Sequence, residues 1–74
     1  MLLTSNPRLL RMLFAAAAAS PRARLTRTQR AAIQASLQDE AWCPQEAVIP
    51  ETWGVVMAWH TQETERQRRE EIQR

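Results

Sequence analysis

Cys43 and His60, the only cysteine and the only histidine in the chain, are the first residues to consider for catalysis. A nucleophilic thiol needs a base that a third group orients, and donors that stabilise the developing oxyanion. The sequence marks neither. His60 and Glu63 are spaced to share a helix face, but zinc sites usually take about four ligands, and one Cys with one His falls short. We therefore predict a protein that is not an enzyme and that holds no cofactor and no metal.

A cluster of basic residues gives the strongest functional signal. It consists of Arg22, Arg24, Arg27 and Arg30. The planar guanidinium can donate two hydrogen bonds at once to a carboxylate or a phosphate, so the cluster suits an acidic protein surface or a nucleic acid. A solvated face, or one paired with the acidic residues further along the chain, is the structural alternative. Because a helix dipole disfavours cations at the helix start, we predict that the cluster serves a partner rather than folding.

Two features weaken the nucleic-acid interpretation. No aromatic residue is interleaved with the arginines of the cluster. The segment between the predicted second and third helices is also longer than the three or four residues that a helix-turn-helix motif uses. A nucleic-acid-binding regulator is therefore the alternative function, and protein binding is the first.

The tryptophans are the second functional signal, because tryptophan anchors interfaces as readily as it fills cores. The chain has three of them, Trp42, Trp53 and Trp59. A bundle of this size need not bury all three. We assign Trp42 and Trp59, together with the arginine cluster, to the predicted partner-binding surface.

Capping signals place three helices. Asn6 followed by a proline predicts a first helix over residues 7–19. Thr26 and Gln29 have the spacing of a capping box, which predicts a second helix over 27–42. Pro50 suits the first position of a third helix, predicted over 50–60.

Apolar spacing along these helices predicts an all-α fold, a small three-helix bundle with a long, partly solvated C-terminal helix. Residues 1–60 form its helical core, and residues 61–74 form a polar, charged extension of the third helix. In the segment before Pro50, Val48 and Ile49 are apolar, and we expect both to plug the core.

Charge is distributed unevenly over the 74 residues. Residues 1–38 carry six Arg and no acid, residues 39–59 carry four acids and no base, and residues 60–74 carry four of each. This asymmetry predicts either an acidic partner for the first part or docking of the first part onto the middle. All ten basic residues are arginine, which favours a GC-rich bacterial or phage source.

The acid-free first half also resembles a mitochondrial transit peptide in composition, and more weakly a secretory signal. We expect it instead to remain as a structural part of a cytoplasmic protein, with a mitochondrial location as the alternative. A single cysteine allows no disulfide within one chain. No apolar run approaches the roughly 18 residues of a transmembrane helix.

These observations predict a small helical interaction protein, such as an adaptor, inhibitor or assembly subunit of the kind that phages and mobile elements encode. It would bind a larger protein or assemble with itself, and it would take no small-molecule substrate. The alternative is a regulator that binds nucleic acid through the Arg22–Arg30 cluster.

Overall fold

The computed structural model describes residues 6–73, so residues 1–5 and Arg74 of the predicted ranges lie outside the described part of the chain. Three helices form within this part: α1 (Pro7–Ala19), α2 (Arg27–Ser36) and α3 (Pro50–Gln73). No strand occurs between residues 6 and 73. α1 packs against both α2 and α3. The protein is therefore the small all-α bundle that the capping and apolar patterns predict.

Local capping interactions fix the starts of the first two helices. The Asn6 side chain accepts hydrogen bonds from the backbone N–H groups of Arg8 and Leu9, at 3.0 and 3.3 Å. At α2, the Thr26 hydroxyl accepts from the Gln29 backbone N–H, and the Gln29 side chain accepts from the Thr26 N–H, both at 3.0 Å. Each bond satisfies an amide that has no partner within its helix. The predicted starts are confirmed.

Helix α2 ends at Ser36 rather than near Trp42, so its predicted end is wrong. Beyond Ser36 the chain forms consecutive turns, and the Asp39 carboxylate accepts a hydrogen bond from the Ala41 backbone N–H at 2.9 Å. Such a side-chain bond offers the backbone an alternative to the helical ladder. The Arg11 side chain also bonds to carbonyls of this segment. Helix propensity alone predicts too long a helix because it registers neither interaction.

The core lies where α1 meets the other helices. Its buried members come from all three helices and from the α1–α2 connection: Leu13, Phe14, Ala17, Ala18, Ala23, Ile33 and Val56. The rings of Phe14 and Trp53 lie 5.6 Å apart, inclined at 43°. Tilted aromatic pairs at this distance are favourable beyond the area they bury. This pair joins α1 to α3.

Val48 and Ile49 follow each other at the end of a tight turn that begins at Gln45. The backbone N–H groups of both residues donate to the Gln45 carbonyl, at 3.1 Å each. Ile49 packs against the core, as predicted, but Val48 is 71% exposed. The expectation that Val48 plugs the core is therefore wrong: in this turn the Ile49 side chain packs inward, whereas the Val48 side chain faces solvent.

Helix α3 continues without a break beyond residue 60 to Gln73. From Thr61 to Ile72 all residues are exposed except Glu63 and Arg66, which are half-buried. The second half of α3 is therefore a mainly solvated helix. No helix within residues 6–73 combines the length and the apolar character needed to cross a bilayer.

Candidate partner-binding surfaces

Arg30, a member of the predicted cluster, is bonded to the chain itself. Its guanidinium donates to the carbonyls of Ala17, Ala18 and Ser20, at 3.3, 2.6 and 2.9 Å, and to the carbonyl of Ala23 at 3.0 Å. The last carbonyls of a helix lack N–H donors within that helix, and Arg30 supplies donors to them, so it caps the C-terminus of α1. Its donors hold the α1–α2 connection in place rather than facing a partner.

Arg11 likewise donates hydrogen bonds to backbone carbonyls that follow the end of α2. Its guanidinium donates to the carbonyls of Leu37 and Asp39, at 3.2 and 2.9 Å, and to that of Trp42. Arg11 is not among the residues predicted from the sequence to have a special role. No local signal could have indicated this role, because the carbonyls it bonds lie 26 to 31 residues further along the chain.

The structure brings three of the predicted partner-binding residues together. Arg22, Arg24 and Trp59 line an open depression of about 130 Å³ between the α1–α2 connection and α3. We call this depression the basic groove; its other lining residues are Val55, Ala58 and Gln62. Apolar side chains of α3 and two arginines of the α1–α2 connection make up most of its lining; we call the apolar part the floor and the arginines the rim. Sequence reasoning missed the three α3 residues, which carry no distinguishing signal.

An ion-pair network lies beside the basic groove. Arg22 approaches the Glu63 carboxylate at 3.5 Å, and Arg66 bonds to Glu63 at 2.7 Å and to Glu70 at 2.8 Å. The Arg66 hydrogen bond, and the charges of Arg66 and Arg22, hold the pKa of Glu63 below its usual value despite some opposing desolvation. Glu63 is thus ionised at neutral pH. The Arg22 side chain is 59% exposed, and an ion pair that is open to solvent on one side contributes little to stability, so Arg22 remains available at the groove rim.

Arg24 and Arg27 are the other exposed members of the predicted cluster. Neither forms an ion pair within residues 6–73. Arg24 lies on the rim of the basic groove, whereas Arg27 stands in the first turn of α2 and is not among the groove residues. The cluster therefore divides into two rim residues, one separate exposed residue and one residue that caps α1.

Trp42 lies on a different surface from Trp59. It lines a broad depression of about 310 Å³ with Ala41, Cys43, Gln45, Val48 and Ile49. The surrounding segment, residues 39–51, carries the four acids of the middle block, all exposed: Asp39, Glu40, Glu46 and Glu51. We call residues 39–51 the acidic segment. Trp42 thus lies within the acidic segment, apart from the basic groove that contains Arg22, Arg24 and Trp59.

Trp59 itself packs against the core and is half-buried. Its indole N–H is buried and has no acceptor within the described residues. A buried donor left without a partner costs about 1–3 kcal/mol.

The Trp59→Phe variant should therefore be as stable as the parent to within about 1 kcal/mol, because losing the unpaired donor offsets losing some apolar area. Trp59→Ala should destabilise the chain, since it removes the packing as well. Urea titration followed by far-UV circular dichroism measures both. A loss above about 2 kcal/mol for Trp59→Phe would mean that the indole N–H has an acceptor after all.

Cys43 is half-buried, and its thiol lies 3.6 Å from the Pro44 carbonyl. It lines an open cleft of about 410 Å³ between the start of α1 and the acidic segment, and His60 is not among the lining residues. No group of three or more His, Cys, Asp or Glu side chains is placed to hold a metal ion within residues 6–73.

The fold and these surfaces define a small all-α bundle with one basic and one acidic apolar face. No protein-family model matches the chain, and no curated protein or solved structure does so either.

Proposed function

We propose that this chain is a small non-catalytic interaction protein whose basic groove binds another polypeptide, either a larger protein or a further copy of itself. The observation that carries the proposal is the basic groove, where Arg22 and Arg24 flank an apolar floor that includes Trp59. Interfaces are enriched in tryptophan and arginine at the positions that contribute most to binding. Such a rim and floor match a segment that has carboxylates beside an apolar side chain.

The same observations favour a protein ligand over a nucleic acid. Nucleic-acid binding depends on arginines whose donors reach phosphates. The donors of Arg30 and Arg11 are bonded to backbone carbonyls, and Arg22 lies beside Glu63. Arg24 and Arg27 are exposed without ion-pair partners in the described residues. A regulator that binds nucleic acid is the second candidate, carried by those two arginines. We also propose that the protein is located in the cytoplasm.

Photo-crosslinking in the cells that make the protein tests the proposal. A photoreactive amino acid replaces Gln62, which lines the basic groove, or Gln67, which is exposed further along α3. We expect a discrete protein adduct from position 62 and none from position 67. The adduct should disappear in the Arg22→Glu/Arg24→Glu variant and persist in the Arg68→Glu/Arg69→Glu variant, which changes the charge equally at exposed sites on the tail.

A groove without any protein adduct would contradict the proposal. Tight binding of the purified chain to a DNA or RNA oligonucleotide, weakening steeply with salt and lost in the groove variant, would replace it with the second candidate. The salt slope and the adduct mass therefore separate the two functions.

A further inference from the structure

The two partner-binding surfaces are complementary in charge. The basic groove has two arginines on its rim and no acid among its lining residues. The acidic segment has four exposed acids and no base. It also presents an apolar side chain, because Val48 is 71% exposed in a tight turn that contains Glu46. The acidic segment therefore has carboxylates beside an exposed apolar side chain, which is the kind of ligand that the basic groove is proposed to bind.

The basic groove and the acidic segment form no ion pairs with each other within the described part of one chain. The ion pairs of residues 6–73 join Arg22 and Arg66 to carboxylates of α3. None involves an acid of the acidic segment. Internal docking of the basic first part onto the acidic middle, one of the alternatives that the charge pattern left open, is thus not made through ion pairs in the described chain.

We propose that a second copy of this chain occupies the basic groove, with Val48 on its apolar floor and Glu46 beside Arg24. This inference rests on the proposed function and names its partner. The volume of the groove, about 130 Å³, is suitable for one small apolar side chain such as that of Val48. For comparison, a cavity of about 150 Å³ accommodates benzene. Val48 also lines the Trp42 depression, so further apolar surface lies beside the side chain that would enter the groove.

The area of the contact determines how strong the association is expected to be. Stable interfaces bury roughly 800 Å² on each partner, which is more than one turn in one groove provides. A two-fold pair makes the contact twice, and a head-to-tail arrangement makes it once per copy. Either way the association should be reversible, should grow with concentration and should weaken with salt, because charges at its edge are screened.

Sedimentation equilibrium of the purified full chain measures this association. At low salt the weight-average mass should rise above that of the monomer as concentration increases, and high salt should shift it back. Arg24→Glu and Glu46→Arg should each abolish the rise, because each sets like charges against each other. Val48→Ser should weaken it without unfolding the chain, since Val48 is exposed. Glu65→Arg and Arg69→Glu are controls with equal charge changes at exposed sites on α3, and they should associate like the parent.

The decisive measurement mixes the Arg24→Glu and Glu46→Arg variants. In the mixture the Arg24→Glu groove can bind the Glu46→Arg turn, and the unaltered groove of the second variant can bind the unaltered turn of the first. Association should therefore return, although neither variant associates alone. Far-UV circular dichroism confirms that each variant is folded. A chain that is monomeric at every concentration, or a mixture that stays monomeric, would overturn the inference. If a heterologous adduct still forms at position 62 in cells, the proposed function stands with a different protein in the groove.

Discussion

Replacing Arg30 with alanine should lower the free energy of unfolding by about 2–3 kcal/mol. The substitution removes a charged donor that bonds to four backbone carbonyls, of which Ala17 and Ala18 belong to the last turn of α1. Hydrogen bonds to charged groups contribute about 1.5–3 kcal/mol each when buried, and Arg30 is half-buried. Nη1 makes three of these contacts with only two N–H groups, and water can replace some of the bonds, so the expected loss is well below the sum of four full hydrogen bonds.

The helix dipole acts in the opposite direction but is smaller. Arg30 lies in the first turns of α2, where removing a cation should stabilise the helix by some tenths of a kcal/mol. Arg27 is the matched control, because it occupies the first turn of the same helix and is exposed. Arg27→Ala should leave stability unchanged or slightly raised. In thermal melts the Arg30→Ala midpoint should fall by roughly 10–20 °C for a chain of this size.

The Arg30→Lys variant distinguishes the contribution of the planar guanidinium from that of the positive charge. Lysine keeps the charge, but its compact ammonium lacks the planar fork that reaches several carbonyls, so it should recover less than half of the loss. Chemical denaturation of the three variants, at a salt concentration that screens the surface charges, gives the free energies directly. Equal stabilities for Arg30→Ala and Arg27→Ala would contradict a capping role for Arg30.

The sequence predicts the starts of the helices well, because the responsible interactions are local. Asn6, Thr26 and Gln29 each bond to backbone within three residues, which is why their spacing in the sequence carries the information. The all-α class follows from the same signals and the apolar spacing. The predicted end of α2 at residue 42 is wrong, because the segment after Ser36 bonds to the Arg11 side chain, which reaches across from α1.

The functional residues were only partly predictable for the same reason. Charge and residue type single out Arg22, Arg24 and Trp59, but the sequence does not show that they share one groove, since that depends on how α3 packs. It also does not separate Arg30 from its exposed neighbour Arg27. Both are arginines at the start of one helix, and only the position of the α1 carbonyls distinguishes their roles.

Phe14→Ala should have the largest effect, a loss of about 3–5 kcal/mol in the free energy of unfolding. Phe14 is fully buried and forms the aromatic pair with Trp53. The substitution removes a ring from the centre of the core and leaves a cavity that the surrounding helices cannot fill completely. A core of this size provides a net stability of only roughly 3–5 kcal/mol. The variant should therefore be largely unfolded, or compact without fixed packing, at room temperature.

The same reasoning predicts what happens to the basic groove. Its walls come from the α1–α2 connection and from α3, and the Phe14–Trp53 pair joins α1 to α3. Without that pair the groove should lose its shape, so both near-UV circular dichroism and groove-dependent crosslinking should disappear together. Phe14→Leu should cost about 1–2 kcal/mol and keep both signals. Met12→Ala, at a 62% exposed position of the same helix, should change stability by less than about 0.5 kcal/mol. A Phe14→Ala chain that melts cooperatively near the parent midpoint would show that the core lies elsewhere.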